Sequence, residues 1–257
     1  MTSFDASGLT DVPRRTLHDL QTEVGDFVLV GMAAVDLVAR AIADLPVSRL
    51  TRNVDVAISV DSEPALRQRT QRLVPRGKGS RLHFWLGGAR VDVVPFGDVA
   101  PGDRLVLDDT TFDVSGLSDA SRTSIDLRLG DDLVVRVASL ASLVVLKIIA
   151  WTDRGAETDH KDAHDLGLLL RASASGRFAD DLWEDDEALE QTDFDPERAG
   201  PFRVGQQIAR EFEPSLVERL EATLTASSGQ QLRDLLGTPT STEHLDALVL
   251  GLRRPKS

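Results

Sequence analysis

The chain has no cysteine and only five histidines among its 257 residues. The first absence excludes disulfides, thiolate metal sites and cysteine nucleophiles, makes zinc a poor expectation and suits a reducing cytoplasm. With so few histidines and no G-x-S-x-G, nucleophilic triad chemistry has little to work with. Long apolar runs are also missing. Val137 to Thr152, interrupted by Lys147, spans 16 residues, too few to cross a bilayer. The N-terminal MTSFDASGLTDV shows neither a basic n-region nor an apolar h-region, so no secretory leader is expected. These absences predict a soluble, cytoplasmic protein with no membrane partner. Basic residues are in deficit as well: 29 Lys and Arg against 42 Asp and Glu give a net charge of -13, which argues against a broadly basic nucleic-acid binder.

What is present supports a folded chain. Hydrophobic residues make up 41% and charged residues 28%, enough for a sizeable core in one large domain or two small ones. Charge is unevenly spread. From Arg49 to Arg81 eight basic residues face three acidic ones, a local balance of +5, whereas Ala179 to Glu197 is a run of carboxylates. The basic stretch suits a nucleotide or an RNA end, or equally a solvated face; the acidic run is read as solvated surface.

The stretch from Phe27 to Val60 organises the rest. Phe27 to Val30 is β-branched and apolar, Gly31 permits a tight turn, and Val35, Val38, Ala39 and Ile42 recur at helical spacing from Met32 to Leu45, before Pro46. Then Val54, Val56, Ile58 and Val60 alternate with Asn53, Asp55, Ala57 and Ser59, so Asp55 falls on the polar face of a strand. Arg90 to Phe96 repeats the pattern, with Asp92 opposite Val91 and Val93. An acidic residue inside a strand is disfavoured unless paired or metal-bound. Two of them in strands flanking a cleft suggest a divalent-metal pair for phosphate chemistry.

Elsewhere, Asp11 and Pro13 mark a helix start, and Glu63 to Val74 reads as a basic helix. Pro75 to Ser80 reads as a loop, and Leu82 to Leu86 as a strand turning through Gly87-Gly88 into the Asp92 strand. Short apolar runs between Leu105 and Val137 predict further antiparallel strands. From Ala138 onward helices are expected over Ala138 to Asp153, Lys161 to Arg171, Pro201 to Thr225, Gln230 to Leu236 and Glu243 to Leu252. The organisation is therefore an α/β part over residues 1–137 and a helical part over 138–257. Within the latter, Lys147 is the one charge of an apolar helix, either snorkelling to the surface or serving as a phosphate ligand. Asp162 and Asp165 lie one turn apart on the next helix. GKGS at Gly77 to Ser80 lacks the first glycine and the Lys-Ser/Thr pair of a phosphate loop. HKDAH at His160 to His164 lacks the glutamate of HExxH; both are set aside.

Four motifs fall in an order that resembles a known family: VGMAA at Val30 to Ala34, RLTRNVD at Arg49 to Asp55, VDVV at Val91 to Val94, and LVVLKIIAWTDR with KDAHDL between Leu143 and Leu166. Together they resemble the nucleotidyltransferase superfamily, in particular its AbiEii/AbiGii type IV toxin branch, over about residues 25 to 170. The resemblance implies an α+β fold with a nucleotidyltransferase-like mixed β-sheet core and flanking helices, followed by a C-terminal helical region that completes the cleft. It implies transfer of a nucleoside monophosphate from a triphosphate to a hydroxyl acceptor, an RNA or tRNA end in the toxin branch, and a cognate antitoxin protein. By the same resemblance Asn53, Asp55 and Asp92 would hold Mg²⁺ or Mn²⁺, and Gly31, Met32, Arg49, Thr51 and Lys147 would bind the nucleotide. Asp162 would orient Lys147 or the acceptor. The chain departs from the pattern at two positions. Asn53 replaces the first carboxylate, which should weaken metal binding, and Met32 replaces the second small residue of the turn. A catalytically degenerate member acting as a nucleotide-binding or protein-interaction module is therefore the competing expectation.

Overall fold

The computed structural model describes residues 3–9, 13–47, 53–78, 80–107, 110–154 and 160–253. The chain divides into two compact units, Met1–Leu37 with Ser48–Ser139, and Val38–Val47 with Leu140–Ser257.

The first unit is built on a mixed sheet. In chain order it contains β1 (Ser3–Asp5), α1 (Arg14–Glu23), β2 (Val28–Val30), the start of α2 (Gly31–Ala41), β3 (Asn53–Ser59), α3 (Glu63–Thr70), β4 (Val74–Pro75), β5 (His83–Leu86) and β6 (Ala89–Phe96). There follow β7 (Arg104–Leu107), β8 (Thr110–Asp113), α4 (Leu117–Arg122), β9 (Ile125–Arg128) and β10 (Val134–Val137). Eight strands form one sheet in the order β1-β9-β10-β2-β3-β6-β5-β4, and β7 and β8 make a separate two-stranded ribbon. The expected α+β class is borne out. Val54, Val56, Ile58, Val91 and Val93 are all fully buried, because alternation places them on the covered face of β3 and β6. The antiparallel pairing anticipated for the later strands is seen in β7 with β8 and in β9 with β10, while β10 also joins β2 in parallel.

Several element bounds differ from expectation, each for a local reason. The α2 helix stops at Ala41 rather than Leu45, because Asp44 turns left-handed at φ 53 and Leu45 precedes Pro46, which disfavours the helical region. The same rule applies at Val74: it stands before Pro75, so α3 ends at Thr70 and Val74–Pro75 pairs with Phe84 and Trp85 as a strand instead of continuing the helix or opening a loop. Strand β1 was not anticipated; it is held by parallel pairing with β9.

The second unit is helical: α5 (Leu140–Arg154), α6 (Lys161–Ala172), α7 (Arg177–Asp180), α8 (Asp186–Gln191), α9 (Pro196–Glu211), α10 (Pro214–Thr225), α11 (Ser227–Leu236) and α12 (Pro239–Arg253). The single helix expected from Pro201 to Thr225 is two. Phe212 is extended, and Pro214 opens α10 at the first turn, where its missing N–H costs nothing. The α9 and α12 helices cross closely, since a Cβ on Gly251 would meet Phe202 O and one on Gly205 would meet Leu248 O.

The acidic run is not simply solvated. Leu182, Ala188 and Leu189 are buried against Ala199, Phe202 and Ala247. Asp185, itself buried, accepts from Ala188 N at 3.1 Å to cap α8 and pairs with Arg203 at 3.4 Å. Three apolar anchors hold the segment down; Asp195 caps α9 and Glu187 accepts from Gln206, while Asp180, Asp181, Glu184, Asp186, Glu190 and Asp193 are exposed.

On α12, His244 is buried and its Nε2 has no partner among the described residues. Burial pushes its imidazole below the usual range of about 6.5, with Arg171 adding to the effect and Glu197, Asp195 and Glu243 opposing it. The unfolded chain therefore takes up this proton at higher pH than the folded one. The resulting stability is complete above about pH 6.5 and is lost as pH falls through the lower folded value. Urea midpoints of wild type and His244→Leu, taken between pH 7.5 and 5, should show the wild type falling more steeply. Parallel curves would count against this assignment.

Candidate active site

The site is laid out by strand register. Asp55 on β3 lies opposite Val30 of β2 on one side and opposite Asp92 of β6 on the other, and Asn53 lies opposite Arg90. The β5–β6 hairpin turns through Gly87 and Gly88, both at positive φ (58° and 86°), a geometry that only glycine adopts without cost. This turn fixes the pairs His83 with Asp92 and Trp85 with Arg90. Val74 of β4 lies opposite Trp85, and Arg76 donates its backbone N–H to His83 O at 2.9 Å, continuing the register. Directly opposed residues share a sheet face. One face thus carries two rows, Asp55, Asp92, His83, Arg76 and Asn53, Arg90, Trp85, Val74, with strands spaced roughly 4.8 Å apart. The other face presents buried Val54, Val56, Val91, Val93 and Phe84.

Each carboxylate has a distinct setting. Gly31 opens α2 at φ +65, and a Cβ built on it would land on Asp55 Oδ2, with Asp55 Cγ at 2.7 Å and Cβ at 2.8 Å. The Asp55 carboxylate is therefore packed against the first residue of a helix, where backbone N–H groups lack helical partners and the dipole favours anions. Asp92 Oδ1 lies 2.8 Å from His83 Nδ1 and accepts from Arg76 Nη1 at 3.3 Å. Its Oδ2 accepts nothing from the described residues. Met32 is buried in the core, 6% exposed, so its bulk is taken up by packing. Arg49 and Thr51 lie outside the described residues.

Among the described residues no group of three His, Cys, Asp or Glu is placed to hold a metal. The donor set that the strands bring together is two carboxylates on adjacent positions with an amide two residues away. Magnesium commonly takes one or two protein carboxylates and completes its shell with water and substrate phosphates, so Asp55, Asp92 and Asn53 fit a cation shared with a nucleotide.

In the helical unit, the half-buried Lys147 lies between two buried carboxylates. Its Nζ lies 3.1 Å from Asp162 Oδ1 and 2.5 Å from Asp165 Oδ2, with the Lys147 side chain 11% exposed. Snorkelling is ruled out for this lysine. Asp162 is one of the two groups that orient it, as the helical spacing allows, and Asp165, read from sequence as an ordinary charged face, is the other. The net charge of the trio is negative.

Residues 37–238 match the model of a family described as nucleotidyl transferase AbiEii toxin, type IV TA system. The chain belongs to this family. The AbiEii match takes in Asn53, Asp55, Asp92, Lys147 and Asp162 and begins after Gly31 and Met32. No curated protein matches the chain. In this AbiEii chain the sequence reading missed His83, Arg76, Arg90 and Trp85 as neighbours of the carboxylates. The signal was available for three of them: counting back from the two-residue Gly87-Gly88 turn pairs Trp85 with Arg90 and His83 with Asp92. The position of Arg76 depends on the short β4 pairing, which the sequence does not show.

Proposed function

We propose that this AbiEii-family protein transfers a nucleoside monophosphate from a nucleoside triphosphate to a hydroxyl acceptor, an RNA or tRNA end, and that a cognate antitoxin protein restrains it in the cytoplasm. The observation that carries this reading is the direct opposition of Asp55 and Asp92 on one polar sheet face, with Asp55 seated on Gly31 at the start of α2. Asp55 and Asp92, with the neutral oxygen of Asn53, would hold Mg²⁺ or Mn²⁺. The cation, when bound, neutralises triphosphate charge and lowers the cost of alkoxide attack on the α-phosphorus. The N–H groups at the start of α2 orient phosphate oxygens beside Asp55. Arg76 and His83, both on Oδ1 of Asp92, fix the rotamer of that carboxylate and leave its other oxygen to face the reacting groups. Pyrophosphate leaves as the acceptor oxygen bonds to phosphorus. Lys147 keeps, on its motif position alone, the role of phosphate cation, held by Asp162 and Asp165.

Titration of the purified protein with each nucleoside triphosphate, with and without Mg²⁺ or Mn²⁺, tests this. Metal-dependent binding is expected, and Asp55→Ala should weaken it at least about tenfold, the scale of losing one charge-assisted ligand. A second reading is favoured by Asn53 and by the Arg76 guanidinium already paired with Asp92: a degenerate family member that binds nucleotide or protein without turnover. Binding that is indifferent to metal and to Asp55→Ala would select it.

A further inference from the structure

Beyond Asp92, on the side away from Gly31, the polar face carries Trp85 flanked by two guanidiniums. Arg76 Cζ lies 5.7 Å and Arg90 Cζ 5.6 Å from the ring centroid. Trp85 is 38% exposed, and its cross-strand neighbour Val74 is 62% exposed. Trp85 and Val74 together make a small apolar patch on an otherwise polar face, with guanidiniums over the indole, a surface suited to a ligand with both apolar and anionic parts. The covering group must be flat, apolar on its face and joined to negative charge, which describes a nucleobase on a phosphate chain.

Two features separate this place from the triphosphate. The proposed seat of the nucleotide phosphates, with the α2 N–H groups and the cation that Asp55 would hold, is on the β2–β3 side. Arg76 lies beyond Asp92 on the β4 side, while Arg90 shares β6 with Asp92, stands between Asn53 and Trp85 in the register, and has no ion-pair partner among the described residues. With Arg76 paired to Asp92, the Arg90 guanidinium beside the indole suits an anionic group of a further ligand. Among the described residues of the basic stretch, several are engaged internally: Arg69 donates to Val24 O and Asp26 O, Arg72 pairs with Glu23, and Arg67 and Arg81 share Glu63. Among the described residues, Arg76 and Arg90 are the arginines that the register and the hydrogen bonds place on the face of the carboxylates.

We infer that Trp85, Arg76 and Arg90 form a stacking platform for the single-stranded end of a polynucleotide acceptor, which would deliver its hydroxyl toward Asp92. This rests on the nucleotidyl-transfer reading above for what the strand end is presented to, but not for its binding. The test uses the full-length protein and a labelled single-stranded RNA of about a dozen mixed nucleotides, a length within the usual footprint of such grooves. Anisotropy is read without nucleotide or metal, and a nucleoside triphosphate titration with Mg²⁺ is run in parallel. Trp85→Ala should weaken RNA binding about tenfold or more, as expected for one lost stacked base, and Trp85→Phe should restore most of it. Arg90→Gln should make the slope of log affinity against log salt shallower by about 0.7, one phosphate contact on a single strand. Triphosphate binding should stay within about twofold in Trp85→Ala, since no triphosphate contact is lost. Wild type that fails to bind the RNA, Trp85→Ala that binds it as wild type does, or Trp85→Phe that fails to rescue would each overturn the platform. Loss of triphosphate affinity in Trp85→Ala would place the nucleotide's own base on the ring and overturn the acceptor assignment. Trp85-dependent RNA binding in a protein that binds no triphosphate would uphold the platform and strike only at the transfer reading.

Discussion

Gly31→Ala should lower the stability of this protein by about 2 to 5 kcal/mol, from the cost of a left-handed alanine and of an overpacked contact together, and remove the metal-dependent nucleotide binding proposed for it. Both parts of the cost arise at one atom. The backbone at Gly31 has φ +65, and the new methyl group would occupy the space of the Asp55 carboxylate. Either the turn into α2 opens or Asp55 rotates away, and each displaces a proposed metal ligand from Asp92. The double variant Gly31→Ala, Asp55→Ala separates the two causes. It removes the clash with the carboxylate but leaves the contact with the Cβ of residue 55 and the strained φ, so unfolding in urea should show a favourable coupling of about 0.5 to 3 kcal/mol, the range for residues in contact. Nucleotide binding should not return. A Gly31→Ala protein within about 0.5 kcal/mol of wild type, the usual scale of surface changes, would mean that the carboxylate does not rest on this glycine.

The second large effect belongs to the helical unit. Lys147→Met removes the shared cation of Asp162 and Asp165, whose side chains are 3% and 7% exposed. Breaking a buried ion pair from one side typically costs about 3 to 5 kcal/mol, because the remaining charge stays desolvated. Here two carboxylates are left beside each other on α6, so the upper part of that range is expected from urea unfolding. Converting the carboxylates as well, in Lys147→Met with Asp162→Asn and Asp165→Asn, should recover much of the loss, since neutral amides tolerate burial better than two like charges one turn apart. A Lys147→Met protein as stable as wild type would show that the trio contributes nothing to the fold.

The parts of this protein legible from sequence are those governed by short-range periodicity. Strands β3 and β6 announce themselves because one face is fully apolar and the period is two, and the Gly87-Gly88 hairpin follows from the one turn that two glycines favour. Asp55 and Asp92 stood out for a physical reason, since a carboxylate inside a strand needs a purpose. Their direct opposition was not legible, because β3 and β6 pair in parallel across an excursion through α3, β4 and β5 that no local pattern fixes. Asp165 was within reach: it shares a helical face with Asp162 at i,i+3, and an apolar helix carrying a lone lysine calls for more than one carboxylate. The stretch from Ala179 to Glu197 misled in the other direction. Its carboxylates dominate the composition, yet Leu182 and Leu189 set its conformation, because a few well-buried side chains outweigh many solvated charges. The break between α9 and α10 was hidden by continuous helical periodicity and declared only by Pro214.

The outermost strand of the sheet, β4, bears on how other chains can engage this protein. Arg76 turns its N–H inward to His83 O, so the amide of the preceding residue points outward, and that residue is Pro75, which has no hydrogen to donate. With only two residues and no outward donor at Pro75, this margin offers a poor template for an incoming strand. The sheet is thereby guarded at that side against edge-to-edge polymerisation and against β-augmentation by a neutralising peptide. An antitoxin that binds there must read side chains, and the side chains within its reach are those beside Asp92.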